Sequence, residues 1–338
     1  MVKDMKILIT GSQGFIGSYI CQELLNNEYE VVGIDNYSKY GYLKRPQDDH
    51  KNFKMHICDV VSPHFLKIVE KEKPDMIIGL AAMIGGIAYF HKYAYDLLAE
   101  NERIIANTFD AAIKSFQDGY TKRIIILSSS MVFEETDVFP TPEEQVKKCY
   151  PPQSTYGFQK LATEYFCKGA LEQYGLPYTI VRPFNCVGVG EDEAIGEHEI
   201  TSGNIKLMLS HVLPDLINKT LKGQDPLHIL GEGHQTRCYT NGKDLGRAIK
   251  IIIESEKAIN DVFNISTPIE TSVLELAKEV WKQVNGDKPF NYVCDEPFEY
   301  DVQKRIPNVS KAKEILGFEA EIPLEESVKE VINYMTKK

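Results

Sequence analysis

The stretch KILITGSQGFIG, residues 6–17, joins a short apolar run to a glycine triplet and then to an apolar helical pattern. Gly11, Gly14 and Gly17 stand in the spacing G-x-x-G-x-x-G. Glycine at these points permits a tight strand-to-helix turn, close approach of backbone to a pyrophosphate, and close packing of the helix on its sheet. The first turn of that helix, at Phe15 and Ile16, offers free N–H groups to an anion. A plain turn would need only one glycine.

Outward from this loop, apolar runs alternate with helical patterns. Strands are expected at 6–10, 30–35, 75–82, 123–129 and 178–183, with helices near 15–26, 62–72, 97–117 and 154–173. Apolar runs without alternation indicate strands covered on both faces, and strand-helix alternation implies parallel crossovers. The fold class is therefore α/β, a doubly wound parallel sheet of Rossmann type. After Pro183 the pattern becomes irregular, with a Gly- and acid-rich loop at 188–204, a helix near 205–222 and a strand at 227–230, and near 239–268 it reads α/β again. The expected division is residues 1–181 plus about 239–268 for the dinucleotide domain, and 182–238 plus 269–338 for a smaller α/β substrate domain.

The formal net charge of −11 over 338 residues argues against nucleic acid, which is held through basic stripes. No apolar run approaches the ~18 residues of a membrane span. The seven cysteines are scattered, with no C-x-x-C pair and no His cluster at zinc spacing, so no metal and a reducing, cytoplasmic setting are expected. Asp35, about 20 residues past the glycine loop at the end of the second strand, is where a carboxylate accepts hydrogen bonds from an adenosine ribose. It would repel a 2′-phosphate, and no Arg stands beside it in DNYSKYG, which favours NAD over NADP. A cap formed by Asp35 and Asn36 is the plainer alternative, as capping is for Asp59.

In STYGFQKLATEYF, residues 154–166, Tyr156 and Lys160 lie four apart on one helical face. An ammonium there would lower the phenol toward the physiological range, and a phenolate so placed can take a proton from an alcohol as hydride leaves the same carbon. The preceding IIILSSS delivers hydroxyls at the C-terminal end of a strand, where ligands of such sheets collect.

TGSQGFIG, Asp35, GLAA (79–82), LSSSMVF (127–133), Tyr156-x-x-x-Lys160, RPFN (182–185), GHQTRCYTNGKDLGRA (233–248), FNIS (263–266) and KRIPNVSKAKEILGF (304–318) together resemble the extended short-chain dehydrogenase/reductases. The likeness is to their NAD-dependent nucleotide-sugar epimerase, dehydratase and decarboxylase group. It implies Ser129, Tyr156 and Lys160 as catalytic residues, Ser129 lying four before Phe133, where the family usually has Tyr. It implies NAD contacts from Gly11, Gly14, Phe15, Ile16, Gly17, Asp35, Asn36, Asp59, Val60, Leu80, Ala81, Ala82, Asn101, Tyr156 and Lys160. Substrate contacts follow from Met83, Ser130, Met131, Asn185, Arg237 and Arg305, the two arginines as diphosphate ligands, while Arg182 braces structure.

Dehydratases that resemble this chain place Asp and Glu after the catalytic hydroxyl, decarboxylases a Glu at the second position, and 3,5-epimerising synthases a Cys there. Ser130 and Met131 stand here, and a thioether cannot carry a proton. What remains is 4-epimerisation of a nucleotide sugar by transient oxidation at C4. A net 4-oxidoreductase on a GDP-linked hexose or heptose is the alternative, with a dehydratase, a decarboxylase or a non-catalytic NAD-binding protein behind it. AAMIGGIAYF (81–90) and SHVLPDLI (210–217) resemble GDP-sugar enzymes, whereas RCYT and the closing segment resemble UDP-sugar decarboxylases, so the base stays open between GDP and UDP. His198, His211 and His234 are left without a role. The resemblance also implies a homodimer through the helices near 97–117 and 154–173. Ile104, Ile105, Phe109, Leu161 and Tyr165 face either the partner or the sheet.

Overall fold

A computed structural model describes residues 5–84, 93–191, 201–202, 204–206, 211–296 and 302–337. Seven strands, β1 (Lys6–Thr10), β2 (Glu30–Asp35), β3 (Phe53–Ile57), β4 (Met76–Gly79), β5 (Arg123–Leu127), β6 (Tyr178–Pro183) and β7 (Asp261–Ile265), form one sheet. Its order is β7-β6-β5-β4-β1-β2-β3, parallel throughout. The described helices are α1 (Phe15–Asn26), α2 (His64–Glu72), α3 (Ala94–Gln117), α4 (Thr155–Tyr174), α5 (Val212–Leu221), α6 (Gly242–Glu254), α7 (Val273–Asn285) and α8 (Leu324–Met335).

The period of two in each strand sends Ile7 and Ile9 to one face and Leu8 to the other, and both faces are covered. Ile7 and Ile9 pack with Ile20 and Leu24 of α1 and Ile249 and Ile252 of α6. Leu8 packs with Phe65 of α2, Phe109 of α3 and Cys167 of α4. This explains why the strand sequences show no polar alternation. A third core gathers Leu213 and Leu216 of α5, Leu276 and Val280 of α7 and Val328 of α8 beside Leu227 and Ile229. The strand Leu227–Leu230 pairs in parallel with Tyr292–Asp295.

The chain leaves β1 toward β2 and β3 on one side, then crosses back to β4 on the other. Between the carboxyl ends of β1 and β4 the order reverses, and a crevice opens where ligands of such sheets bind. Thr10 Oγ1 bridges it, accepting from Leu80 N and Ala81 N, each at 3.1 Å.

Candidate active site

A single cavity of about 1050 Å³ runs from the glycine loop, across the ends of β1, β4 and β5, to the α5 and Arg237 side. At its dinucleotide end, Gly11 has φ +73°, and a Cβ on it would stand 2.9 Å from Ala81 N; one on Gly17 would stand 2.1 Å from Gly11 O. The first forbids any side chain at the turn, and the second lets α1 rest directly on the loop. No described side chain caps the start of α1, which Gly14 precedes as its N-cap, so its first N–H groups face the cavity beside Phe15 and Ile16.

Asp35 Oδ2 accepts from Gln13 N at 3.0 Å and Oδ1 from Tyr37 N at 2.8 Å. Each oxygen keeps capacity for one more donor, which suits a ribose diol. Burial pushes this carboxyl up, against backbone hydrogen bonds from Tyr37, Gln13 and Asn36 and the charge of Arg45. Asn36 Nδ2 donates to Asp59 Oδ2 at 2.9 Å, while Asp59 Oδ1 accepts from Val61 N at 3.0 Å. Asp59 thus caps a turn and lines the cavity with Val60. The cradle at Gly11 and Gly17, the open end of α1 and the Asp35 carboxylate fit a dinucleotide.

At the far end of β5, Ser129 begins a short turn and its Oγ accepts from Met131 N at 3.2 Å. That leaves its O–H to donate, and it hydrogen-bonds Tyr156. Tyr156 and Lys160 stand on α4, whose start is fixed by Ser154 Oγ accepting from Gly157 N at 3.0 Å. Both are buried, and the Lys160 Nζ lies 5.9 Å from the Tyr156 ring centre and donates to Leu127 O at 3.2 Å. The expected lowering of the phenol by Lys160 is not what the geometry gives. Burial pushes Tyr156 up, and the opposing influences are the Ser129 hydrogen bond and then Arg305. Lys160 is itself pushed down to about 8 by burial, because the same dry surroundings disfavour either charge.

Met131 is buried against Leu97 and Tyr156. Asn185 has φ +37°, a conformation Asn tolerates better than most residues, and its Nδ2 is buried without a hydrogen-bond partner among the described residues. Arg237 and Arg305 are register partners on two paired short strands, Thr236–Arg237 and Lys304–Arg305.

The profile of the NAD dependent epimerase/dehydratase family matches residues 7–266. The chain belongs to that family. It is 30% identical to UDP-N-acetyl-alpha-D-glucosaminuronate decarboxylase of Bacillus cytotoxicus over 97% of either chain. The solved UDP-glucose 4-epimerase of Thermotoga maritima, described with UDP-glucose, is 30% identical with a TM-score of 0.83, over 98% of this chain and 99% of that one. The UDP-glucuronic acid 4-epimerase of Bacillus cereus, described in complex with NAD, is 25% identical with a TM-score of 0.78, over 98% and 99%.

Within this epimerase/dehydratase chain, the residues singled out in the sequence converge on the one cavity, except Asn101. Gly11, Gly14, Phe15, Ile16, Gly17, Asp35, Asn36, Asp59 and Val60 line one end. Leu80, Ala81, Ala82 and Met83 line its floor, and Ser129, Ser130, Met131, Tyr156, Lys160, Asn185, Arg237 and Arg305 its other walls. Asn101 is buried outside the lining and clamps Met83, its Oδ1 accepting from Met83 N at 2.7 Å and its Nδ2 donating to Met83 O at 2.9 Å. Sequence reasoning missed Gln13, Lys39, Glu134 and Tyr239, which also line the cavity. Glu134 Oε2 accepts from Ser154 N at 2.9 Å, so it holds the start of α4. His211, left without a role, hydrogen-bonds the buried Glu191 through its ring and, at 3.1 Å, through its backbone N. His198 and the glycine pair at 85–86 lie outside the described residues, and no described helix is long and apolar enough to cross a membrane.

Proposed function

We propose that the protein is a nucleotide-sugar 4-epimerase that uses NAD as a recycled catalyst on a UDP-linked sugar. The observation that carries this reading is Met131: beside the hydrogen-bonded Ser129 and Tyr156, the position that would serve elimination or inversion next to a ketone holds a buried thioether. NAD, when bound, supplies the group that takes hydride from C4 and returns it.

The protein's part is the proton. Tyr156 takes it from the 4-hydroxyl and gives it back, and Ser129, fixed by Met131 N, donates to the reacting oxygen through its O–H. Lys160, on α4 and held by Leu127 O at the end of β5, binds the nicotinamide ribose, while the Ser129 hydrogen bond and Arg305 favour the phenolate when the proton leaves. Met131 leaves the hydrogens at C3 and C5 untouched. Arg305 influences the Tyr156 phenol, which supports placing it at the sugar, with Arg237 and the buried amide of Asn185 toward the diphosphate. The names of the relatives support UDP over GDP. We further infer a cytoplasmic homodimer, with the domain boundaries given above; the seven cysteines are all free.

The test is incubation with UDP- and GDP-linked hexoses and hexuronates in deuterated water without added NAD. A C4 epimer lacking carbon-bound deuterium is expected. Solvent deuterium at C3 or C5, or one sugar oxidised per NAD, would overturn the assignment. Tyr156→Phe is expected to lose about 10³-fold or more in turnover while still binding NAD.

A further inference from the structure

We propose that Lys39 binds the diphosphate of the bound dinucleotide, closing over the anion from the side opposite the start of α1. The inference rests on the NAD reading above and adds to it a cationic contact.

Lys39 lies four residues beyond Asp35 on the loop leaving β2, and lines the cavity. The residue is half-buried, and its ammonium makes no hydrogen bond or ion pair with any described residue; it stands 4.8 Å from the centre of the Tyr40 ring. Two groups set its electrostatic surroundings. Glu191 attracts it, but that carboxylate is already engaged by the ring and backbone N of His211. Arg45 opposes it as a like charge. Burial outweighs the attraction and pushes the ammonium down. A cation in that condition is stabilised by any anion that enters the cavity beside it.

The segment that follows Lys39 is tied to the phosphate cradle at three points and to the chain leaving β6 at one, which favours the dinucleotide's diphosphate over that of a sugar nucleotide. Arg45 Nε donates to Gln13 O at 3.0 Å, Gln47 Nε2 to Ser12 O at 3.0 Å, and Gln13 Nε2 to Asp48 Oδ1 at 2.8 Å. Arg45 Nη1 also donates to Gly190 O at 3.0 Å, so the same segment braces the chain leaving β6. Lys39 thus stands on a loop braced against the glycine loop, whereas Arg237 and Arg305 lie on the short strands of the other side.

The experiment is calorimetric titration of nucleotide-free protein with NAD, ADP, adenosine and UDP, for the wild type, Lys39→Gln and Lys39→Arg. Lys39→Gln is expected to weaken NAD and ADP by about tenfold or more, the worth of a charge-assisted hydrogen bond, and to leave adenosine and UDP unchanged. Lys39→Arg should recover most of the loss. Unchanged NAD affinity in Lys39→Gln overturns the proposal, as does equal loss for adenosine, which would report damage to the loop. Loss confined to UDP also overturns it, because the cation then serves the sugar nucleotide. A wild type that binds no NAD overturns the cofactor reading itself.

Discussion

Lys160 is kept in a place that costs stability, as the role proposed for it at the nicotinamide ribose requires. Its Nζ has one carbonyl acceptor, Leu127 O, and no carboxylate within ion-pair distance among the described residues, and burial alone lowers it from 10.5 to about 8. Below pH 8 the lysine is protonated in both folded and unfolded chains, and the folded state bears the full penalty. Between pH 8 and 10.5 the folded state gives up its proton first and the penalty fades. Lys160→Met is therefore expected to raise the stability of the ligand-free protein at pH 7 by on the order of 3 kcal/mol, with loss of turnover, and to lose that advantage toward pH 10.5. Paired thermal melts at neutral and alkaline pH check it; a variant no more stable than wild type at pH 7 contradicts it. Tyr156 and Lys160 were legible as a pair from their spacing on one helical face, and their roles and that of Met131 only through the resemblance to the epimerase/dehydratase group. The direction in which Tyr156 shifts was not, since burial belongs to the fold. Lys39 was missed because a lysine in a polar loop reads as solvated.

At the scale of elements, the aim of Tyr156 depends on how α4 is seated. Glu164, two turns further along α4, accepts from Arg182 Nε and Nη2, both at 2.7 Å, and from Ser128 Oγ at 2.7 Å. Arg182 Nη1 donates to Glu143 O at 2.8 Å, and both charged side chains are 1% exposed. The pair ties α4 to β6 and to the end of β5, next to Ser129. Removing one partner strands a buried charge, so Glu164→Leu and Arg182→Met are each expected to cost about 3–5 kcal/mol. The double variant Glu164→Leu with Arg182→Met should be less destabilised than the two singles combined. Urea unfolding of the set measures this, and strict additivity would refute the coupling. Arg182 could be read as a brace from its strand, but its partner lies on another element and left no local signal. Strand β3 was not anticipated for a related reason. FKMHI sits at the sheet edge, largely half-exposed, with Lys54 and His56 turned to Glu72 of α2 at 2.6 and 2.9 Å, so it lacks the apolar run that marks the inner strands.

Over the whole molecule, the doubly wound sheet was legible because strands buried on both faces write continuous apolar runs, and the crevice follows from where their order reverses. The opposite wall of the cavity was not, because it rests on two-residue strands whose pairing of Arg237 with Arg305 has no periodicity to betray it. The same contrast divides the residues proposed for self-association. Ile105 and Phe109 are buried toward the sheet, and Ile104 packs against the same core. Leu161 packs beside Val132 and Phe133. Tyr165 alone of the five faces outward, 64% exposed, and Phe158, two turns earlier on α4, is 48% exposed. Tyr95 near the start of α3 is 77% exposed, so α3 and α4, which pack side by side, carry an aromatic surface. Aromatic side chains contribute about 150–250 Å² each to such a contact, and a stable interface needs about 800 Å² per partner, more than these three alone supply. A homodimer must therefore bury the length of both helices around them, which makes Phe158 and Tyr165 central rather than peripheral. Light scattering is expected to give twice the chain mass for the native protein, and the chain mass for Phe158→Glu with Tyr165→Glu, with NAD affinity retained because neither residue lines the cavity. A native protein that runs at the chain mass at micromolar concentration would remove the helix pairing from the proposal and leave the chemistry of the cavity standing.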